Sequence, residues 1–326
     1  MTTPPPPLQS APAAPVIEVR NLRRNFGRLL AVSDISFDVM AGQVVGFIGA
    51  NGAGKTTTMR MMATLDLPSS GRIRICGYDV MNYPNEVRRK VGWMPDAYGT
   101  YNNTTVVEYL DFYGRAFGFK FPERKKRVEE VMEFTDLAVI ADRPINKLSK
   151  GMGQRLCLGR TLLHDPEVLI LDEPAAGLDP KARIEFKNLI RLLAESGKTI
   201  FISSHILSEL GEMCDTLLFI DAGKIVHHGS SDSLLKQTAS ADGIIDVQVA
   251  GSPDALLQWI TMHPGMKLVE ATRLGARVRF DSAEPAEIAT SLRQMITDGV
   301  PVVEFHREER RLEDAFVDML KKIETK

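Results

Sequence analysis

Cysteine is scarce in this sequence: Cys76, Cys157 and Cys214 stand far apart, with no C-x-x-C pair. That excludes a disulfide framework and a cysteine zinc site, and suits a reducing compartment. The six histidines also miss metal-ligand spacing; His227 and His228 are adjacent, so a strand there sends them to opposite faces. No apolar run approaches the roughly 18–20 residues that span a bilayer as a helix. Net charge is almost absent too, at −2, which argues against a general nucleic-acid binder with a basic surface. The basic run ERKKRVEE (123–130) has acids at both ends and reads as a solvated helix face. MTTPPPPLQSAPAAP lacks a cationic start and a continuous apolar stretch, so residues 1–15 read as a disordered, partly polyproline-II tail rather than a secretory signal. Together these absences point to a cytoplasmic protein.

What is present is ample core. At 326 residues, 44% hydrophobic and 25% charged, the chain has room for about two globular domains. VIEVRNL, AVSDISFDV and QVVGFIG alternate as strands, a helix follows from Gly54, and RIRICGYDV (72–80) reads as one more strand. Residues 100–165 turn helical. VLILDEP (168–174) and TIFISSH (199–205) are short buried-strand candidates separated by an amphipathic helix that Gly197 stops. LLFIDAGKIVHHG reads as a hairpin around Ala222 and Gly223. Buried strand, helix, buried strand implies a mostly parallel α/β sheet. After TASADG (238–243), a linker, the pattern is β-α-β-β-α-β, the ferredoxin-like order, closed by an amphipathic helix, LEDAFVDMLKKI.

GANGAGKT (49–56) fits G-x-x-x-x-G-K-[ST] between an apolar strand and a helix. Gly49, Ala50, Asn51, Gly52, Ala53 and Gly54 would wrap backbone N–H groups around a polyphosphate, and the helix N-terminus adds favourable partial charge. Lys55 would reach the β- and γ-phosphates, Thr56 would ligate Mg²⁺, and Thr57 is a further phosphate donor. Asp172 and Glu173 end a buried strand, where ligands sit in open α/β sheets. Asp172 suits a direct or outer-sphere Mg²⁺ role, leaving Glu173 to polarise the attacking water. A lone histidine is more often structural than catalytic. His205, at another strand end, is placed to hydrogen-bond a γ-phosphate.

With GANGAGKTT, LSKGMGQR, VLILDEP, AAGLD and SSH in that order, residues 16–235 closely resemble the ATP-binding subunit of an ABC transporter. The resemblance implies a P-loop NTPase core with an antiparallel β subdomain and a helical subdomain, here about 97–165 of a 16–237 domain, with an α/β accessory domain at 243–326. It implies ATP and Mg²⁺ as cofactors, a polytopic membrane permease as partner, and a second ATP-binding subunit, a homodimer. It implies further that Ser149 and Gly151 contact the γ-phosphate held by the partner's P-loop, that Asp179 belongs to the adjoining loop, and that Phe26 stacks on adenine. Phe26 is equally placed for edge core. Two motifs depart from the family pattern. LSKGM stands for LSGGQ, with Lys150 for the first glycine and Met152 for the glutamine, putting the Lys150 charge in the cradle. GWMPD stands where the family carries a pattern like GYLPQ, so Asp96 replaces a glutamine and brings a third acid towards the metal, to bind it directly, bind it through water, or retreat.

Nine aromatic residues crowd the stretch from Trp93 to Phe121. Most read as core of the helical subdomain, with Tyr98 and Tyr101 as candidates for a permease-receiving groove. The LSKGM-type signature and the terminal LEDAF segment resemble those of exporter ATPases. A non-transport ABC ATPase working on a ribosome or DNA is the competing reading, and a metabolic P-loop kinase leaves LSKGMGQR unexplained.

Overall fold

The computed structural model describes residues 14–307 apart from 98, 100, 102, 212, 232, 235–243, 264 and 282–283, together with Leu312 and Phe316. Tyr98, the 238–243 linker and most of the tail and terminal helix lie outside the described residues. The chain divides into two compact units, Met1–Ser231 and Asp232–Lys326.

The first unit opens with a hairpin, β1 (Ile17–Phe26) and β2 (Leu29–Val39), followed by β3 (Val44–Ile48) and α1 (Lys55–Met62). Next come β4 (Ser70–Ile75), β5 (Tyr78–Asp79), α2 (Pro84–Lys90) and β6 (Val91–Met94). RIRICGYDV is therefore not one strand. Cys76 and Gly77 both take positive φ, 48° and 82°, and turn the chain back on itself. The helical stretch holds α3 (Val106–Ala116), α4 (Phe121–Phe134) and α5 (Lys150–Leu162). A reciprocal Thr105–Glu108 capping box starts α3. Then β7 (Val168–Leu171), α6 (Pro180–Glu195), β8 (Thr199–Ser204), α7 (Leu207–Leu210), β9 (Thr216–Asp221) and β10 (Lys224–Gly229) complete the unit.

Two sheets result. One is antiparallel, in the order β2-β1-β4-β5. The other runs β10-β9-β3-β8-β7-β6, parallel except where β10 returns beside β9. Its central strands are apolar on both faces, every residue of β3, β7 and β8 being buried. Phe37 of β2 stacks on Phe201 of β8 at 5.6 Å, and Phe47 of β3 meets the same ring at 5.2 Å, joining the two sheets through one core.

In the second unit, β11 (Ile244–Val249), α8 (Asp254–Met262), β12 (Met266–Thr272), β13 (Gly275–Phe280), α9 (Pro285–Thr297) and β14 (Val302–Arg307) follow in turn. The sheet order β12-β13-β11-β14, antiparallel throughout, is the ferredoxin-like arrangement, with its own core around Val247, Leu256, Val278 and Met295. Among the described residues no helix is long and apolar enough to cross a membrane.

Candidate nucleotide site

Sheet order assembles the site. β3, β8, β7 and β6 lie side by side and parallel, so the segments just beyond their C-terminal ends fall along one edge. The P-loop comes after β3, His205 after β8, Asp172 and Glu173 after β7, and Asp96 after β6.

The P-loop bends through left-handed residues, Gly52 at φ 84° and Gly54 at φ 109°, which side chains rarely adopt. A Cβ on Gly54 would also press on Ala31 O at 2.6 Å. Lys55 is buried, its Nζ donating to Gly49 O at 2.6 Å. The loop is clasped from outside: Gly223 N, in the β9–β10 turn, donates to Ala53 O at 3.0 Å, and Gly223 O accepts from Ser33 N at 2.7 Å. Thr56 is exposed and Thr57 half-buried at the start of α1.

Asp172 is 2% exposed, yet it is anchored. Burial pushes its carboxyl pKa up; hydroxyl donors on Ser203 and Thr56 hold it down, and the charges of Glu173 and Asp96 push it up again. Ser203 Oγ donates to Asp172 Oδ1 at 2.7 Å and accepts from Glu173 N at 2.9 Å, so one hydroxyl fixes both acids. Glu173 sits at φ 48°, a strained conformation for a residue with a side chain, of order 1–3 kcal/mol. Its Oε2 lies 2.8 Å from His205 Nδ1. Its Oε1 lies 3.2 Å from Lys55 Nζ, close enough for an ion pair but outside hydrogen-bond alignment.

Thr56, Asp172 and exposed Asp96 thus bring hard oxygen donors and an excess of negative charge to the same edge of the sheet, a donor set that fits Mg²⁺ sharing its shell with phosphates. Among the described residues no group of three or more His, Cys, Asp and Glu side chains could hold a metal without such help.

Phe26 is not core. It ends β1 with 45% of its surface exposed, and the Arg24 guanidinium covers one face 4.4 Å from the ring centre. Ser149 caps α5, its hydroxyl accepting from Met152 N at 3.3 Å, and no acid stands in the first turn. Gly151 packs against α6, where an added Cβ would stand 3.0 Å from that of Ala182. Asp179 caps α6, accepting from Ala182 N at 2.9 Å. The Lys150 ammonium does not point into the cradle. It lies across Gly177, whose missing side chain and φ of 66° leave room for the lysine stem beside the Ala175–Asp179 loop. Tyr101 is 48% exposed and leans on Tyr109 and Phe112.

Sequence reasoning missed Ser203 and Gln154. The signal for Ser203 lay in the SSH motif, whose first serine has an acid-rich strand end as its neighbour. Gln154 is 2% exposed and donates to Asp96 O at 3.3 Å, a contact that no spacing announces.

Comparison with known proteins agrees with this geometry. Residues 32–176 match the family described as ABC transporter. The Nod factor export ATP-binding protein I of Ralstonia nicotianae is 34% identical over 313 residues, covering 96% of each chain. The linearmycin resistance ATP-binding protein LnrL of Bacillus subtilis is 32% identical over 277 residues, 85% of this chain and 89% of that one. A solved ATP-binding subunit of an ABC transporter superposes with a TM-score of 0.62 at 29% identity, over 68% of this chain and 92% of the other. A buried P-loop lysine, a gripped glutamate, an ordered set of motifs and these likenesses lead to one assignment: the chain belongs to the ABC transporter family, as an ATP-binding subunit that hydrolyses ATP.

Proposed function

We propose that two copies of this chain clasp two ATP molecules between them and drive a separate polytopic permease, at the cytoplasmic face of a membrane, in the direction of export. The observation that carries the catalytic half is the Glu173 carboxylate, held between Lys55 and His205 beside buried Asp172. Glu173 polarises the water that attacks the γ-phosphate in line. His205 holds Glu173 and presents its other nitrogen to the γ-phosphate. Lys55 and the N–H groups of residues 49–57 bind the phosphates, and the free face of Phe26 takes the adenine. Thr56 and Asp172 are the residues for Mg²⁺, with Asp96 beside them; when bound, the ion neutralises charge along the phosphates. Positioning and charge stabilisation supply most of the acceleration in such chemistry.

Ser149 and Gly151 stand at the start of α5, whose first turn holds no acid to repel phosphate. They serve the nucleotide of the other copy, and Asp179 meets that copy across the same interface. ATP then acts as interface glue, and hydrolysis loosens it. Two relatives carry Nod factor export or linearmycin resistance in their names, which supports an exporter. A net charge of −2 does not argue for nucleic acid as partner.

The assembly is tested by mixing the Gly151→Asp chain with ATP and measuring its mass in solution. A carboxylate at this point should abolish ATP-dependent dimers; dimers of normal stability would end the shared-site reading. Gentle extraction of membranes should also recover an integral membrane protein with the chain. Its consistent absence would remove the permease.

A further inference from the structure

Strand β6 is the outer edge of the six-stranded sheet. Its inward carbonyls are taken by the β7 segment: Glu167 N donates to Lys90 O at 3.0 Å and Asp172 N to Met94 O at 2.8 Å. An edge strand leaves the alternate carbonyls without a ladder partner. Here side chains of α5 and of the turn just after it take them. His164 Nε2 meets Val91 O at 3.0 Å. Thr161 Oγ1 lies 3.2 Å from Trp93 O and shares its proton with Cys157 O. Gln154 Nε2 donates to Asp96 O at 3.3 Å. Residues 164, 161 and 154 thus meet 91, 93 and 96 in order, helix and strand running antiparallel. Gly92 permits the approach, since a Cβ there would stand 2.7 Å from Thr161 Cγ2 and 2.8 Å from Thr161 O.

Like Thr161, Gln154 is 2% exposed, and like His164 it leaves a buried polar atom, Oε1, without a hydrogen-bond partner; it differs from both in that the backbone it holds has already left the strand. A buried amide that leaves its acceptor unused is uncommon, and it points to a role beyond packing. The same helix begins at Ser149, the signature end, while the loop it holds carries the Asp96 side chain out to the nucleotide edge of the sheet. We infer that Gln154 is a positioning residue for ATP hydrolysis, tying the signature helix to the loop that aims the Asp96 carboxylate. A shift of α5 along its axis, as its Ser149 end engages a nucleotide, carries Asp96 with it. The inference rests on the proposed place of Asp96 beside the phosphates.

A mutant cycle tests it. Asp96→Asn and Gln154→Met should each lower kcat about tenfold with KM for ATP within about twofold, and the double variant should be no slower than the slower single by more than about twofold. Gln154→Glu, which keeps the size but loses the donor, should behave as Gln154→Met does. In the absence of nucleotide, amide hydrogen exchange at Asp96 and Ala97 should quicken at least about tenfold in Gln154→Met, while the thermal midpoint stays within a few degrees. Losses that multiply to about a hundredfold, or unchanged exchange at those two amides beside a slow Asp96→Asn, would overturn the role of Gln154 alone. Wild-type turnover in Asp96→Asn would instead remove Asp96 from the mechanism and this inference with it.

Discussion

His205 Nδ1 lies 2.8 Å from Glu173 Oε2, while Lys55 Nζ lies 3.2 Å from the other oxygen of the same carboxylate. Residues after two different strands therefore grip an acid that follows a third. Glu173→Gln keeps its size and gives up its charge. Turnover should fall by about 10²–10³ while ATP affinity stays within about threefold. Keeping more than about a third of the wild-type rate would remove Glu173 from the chemistry.

Lys55→Ala acts on a different step. The lysine is 5% exposed and braced on Gly49 O at 2.6 Å, so its ammonium is already aimed before phosphate arrives. Its loss should weaken ATP binding itself by about tenfold or more, read by equilibrium titration. Unchanged affinity would mean that the backbone cradle binds the phosphates without it.

Ser203→Ala should damage stability and rate together. It leaves Glu173 N without its acceptor and Asp172 without the 2.7 Å hydrogen bond from Ser203, at a cost of about 1–3 kcal/mol. The thermal midpoint should drop by several degrees, and kcat should fall with Asp172 and Glu173 both loosened. A variant with native midpoint and native kcat would show that the hydroxyl only fills space.

His164 should make the first unit sensitive to mild acid. Its pKa is pushed down chiefly by burial, against the Val91 carbonyl that favours the charged ring. The folded chain thus refuses a proton that the unfolded chain accepts below about pH 6.5. Stability is complete above that pH and falls as pH drops through it, by at most about 1.4 kcal/mol per pH unit. His164→Phe keeps a ring against Phe117, now stacked at 4.3 Å, and should lose less between pH 7.5 and 5.5 than the wild type. Equal losses in both proteins would place the sensitivity elsewhere.

Much of this was legible because parallel strands convert sequence order into position. VLILDEP and TIFISSH are buried on both faces, so their apolar runs stand out, and the residues just after them must fall at one edge. The ferredoxin-like order was legible from alternation in the same way. Turn chemistry hid the Cys76–Gly77 reversal, because Cys76 carries no signal for its positive φ. The direction of Lys150 depends on an empty place at Gly177, 27 residues along, and that is a fact of packing rather than of pattern. Gln154 was invisible for a similar reason: its partner is a backbone carbonyl, and every residue has one.

The clasp that Gly223 makes on Ala53 and Ser33 has a consequence for how the protein is made. The loop that binds nucleotide is finished once Thr56 has been added, but the turn that holds it, at Gly223, is made 167 residues later. Closing so long a loop is slow compared with local helix formation. A ribosome-bound chain stopped short of Gly223 carries the whole GANGAGKT sequence without its fastening, so ATP becomes a ligand of the folding protein only late. Nucleotide can then guard the finished unit against unfolding, by mass action, without guiding its first steps.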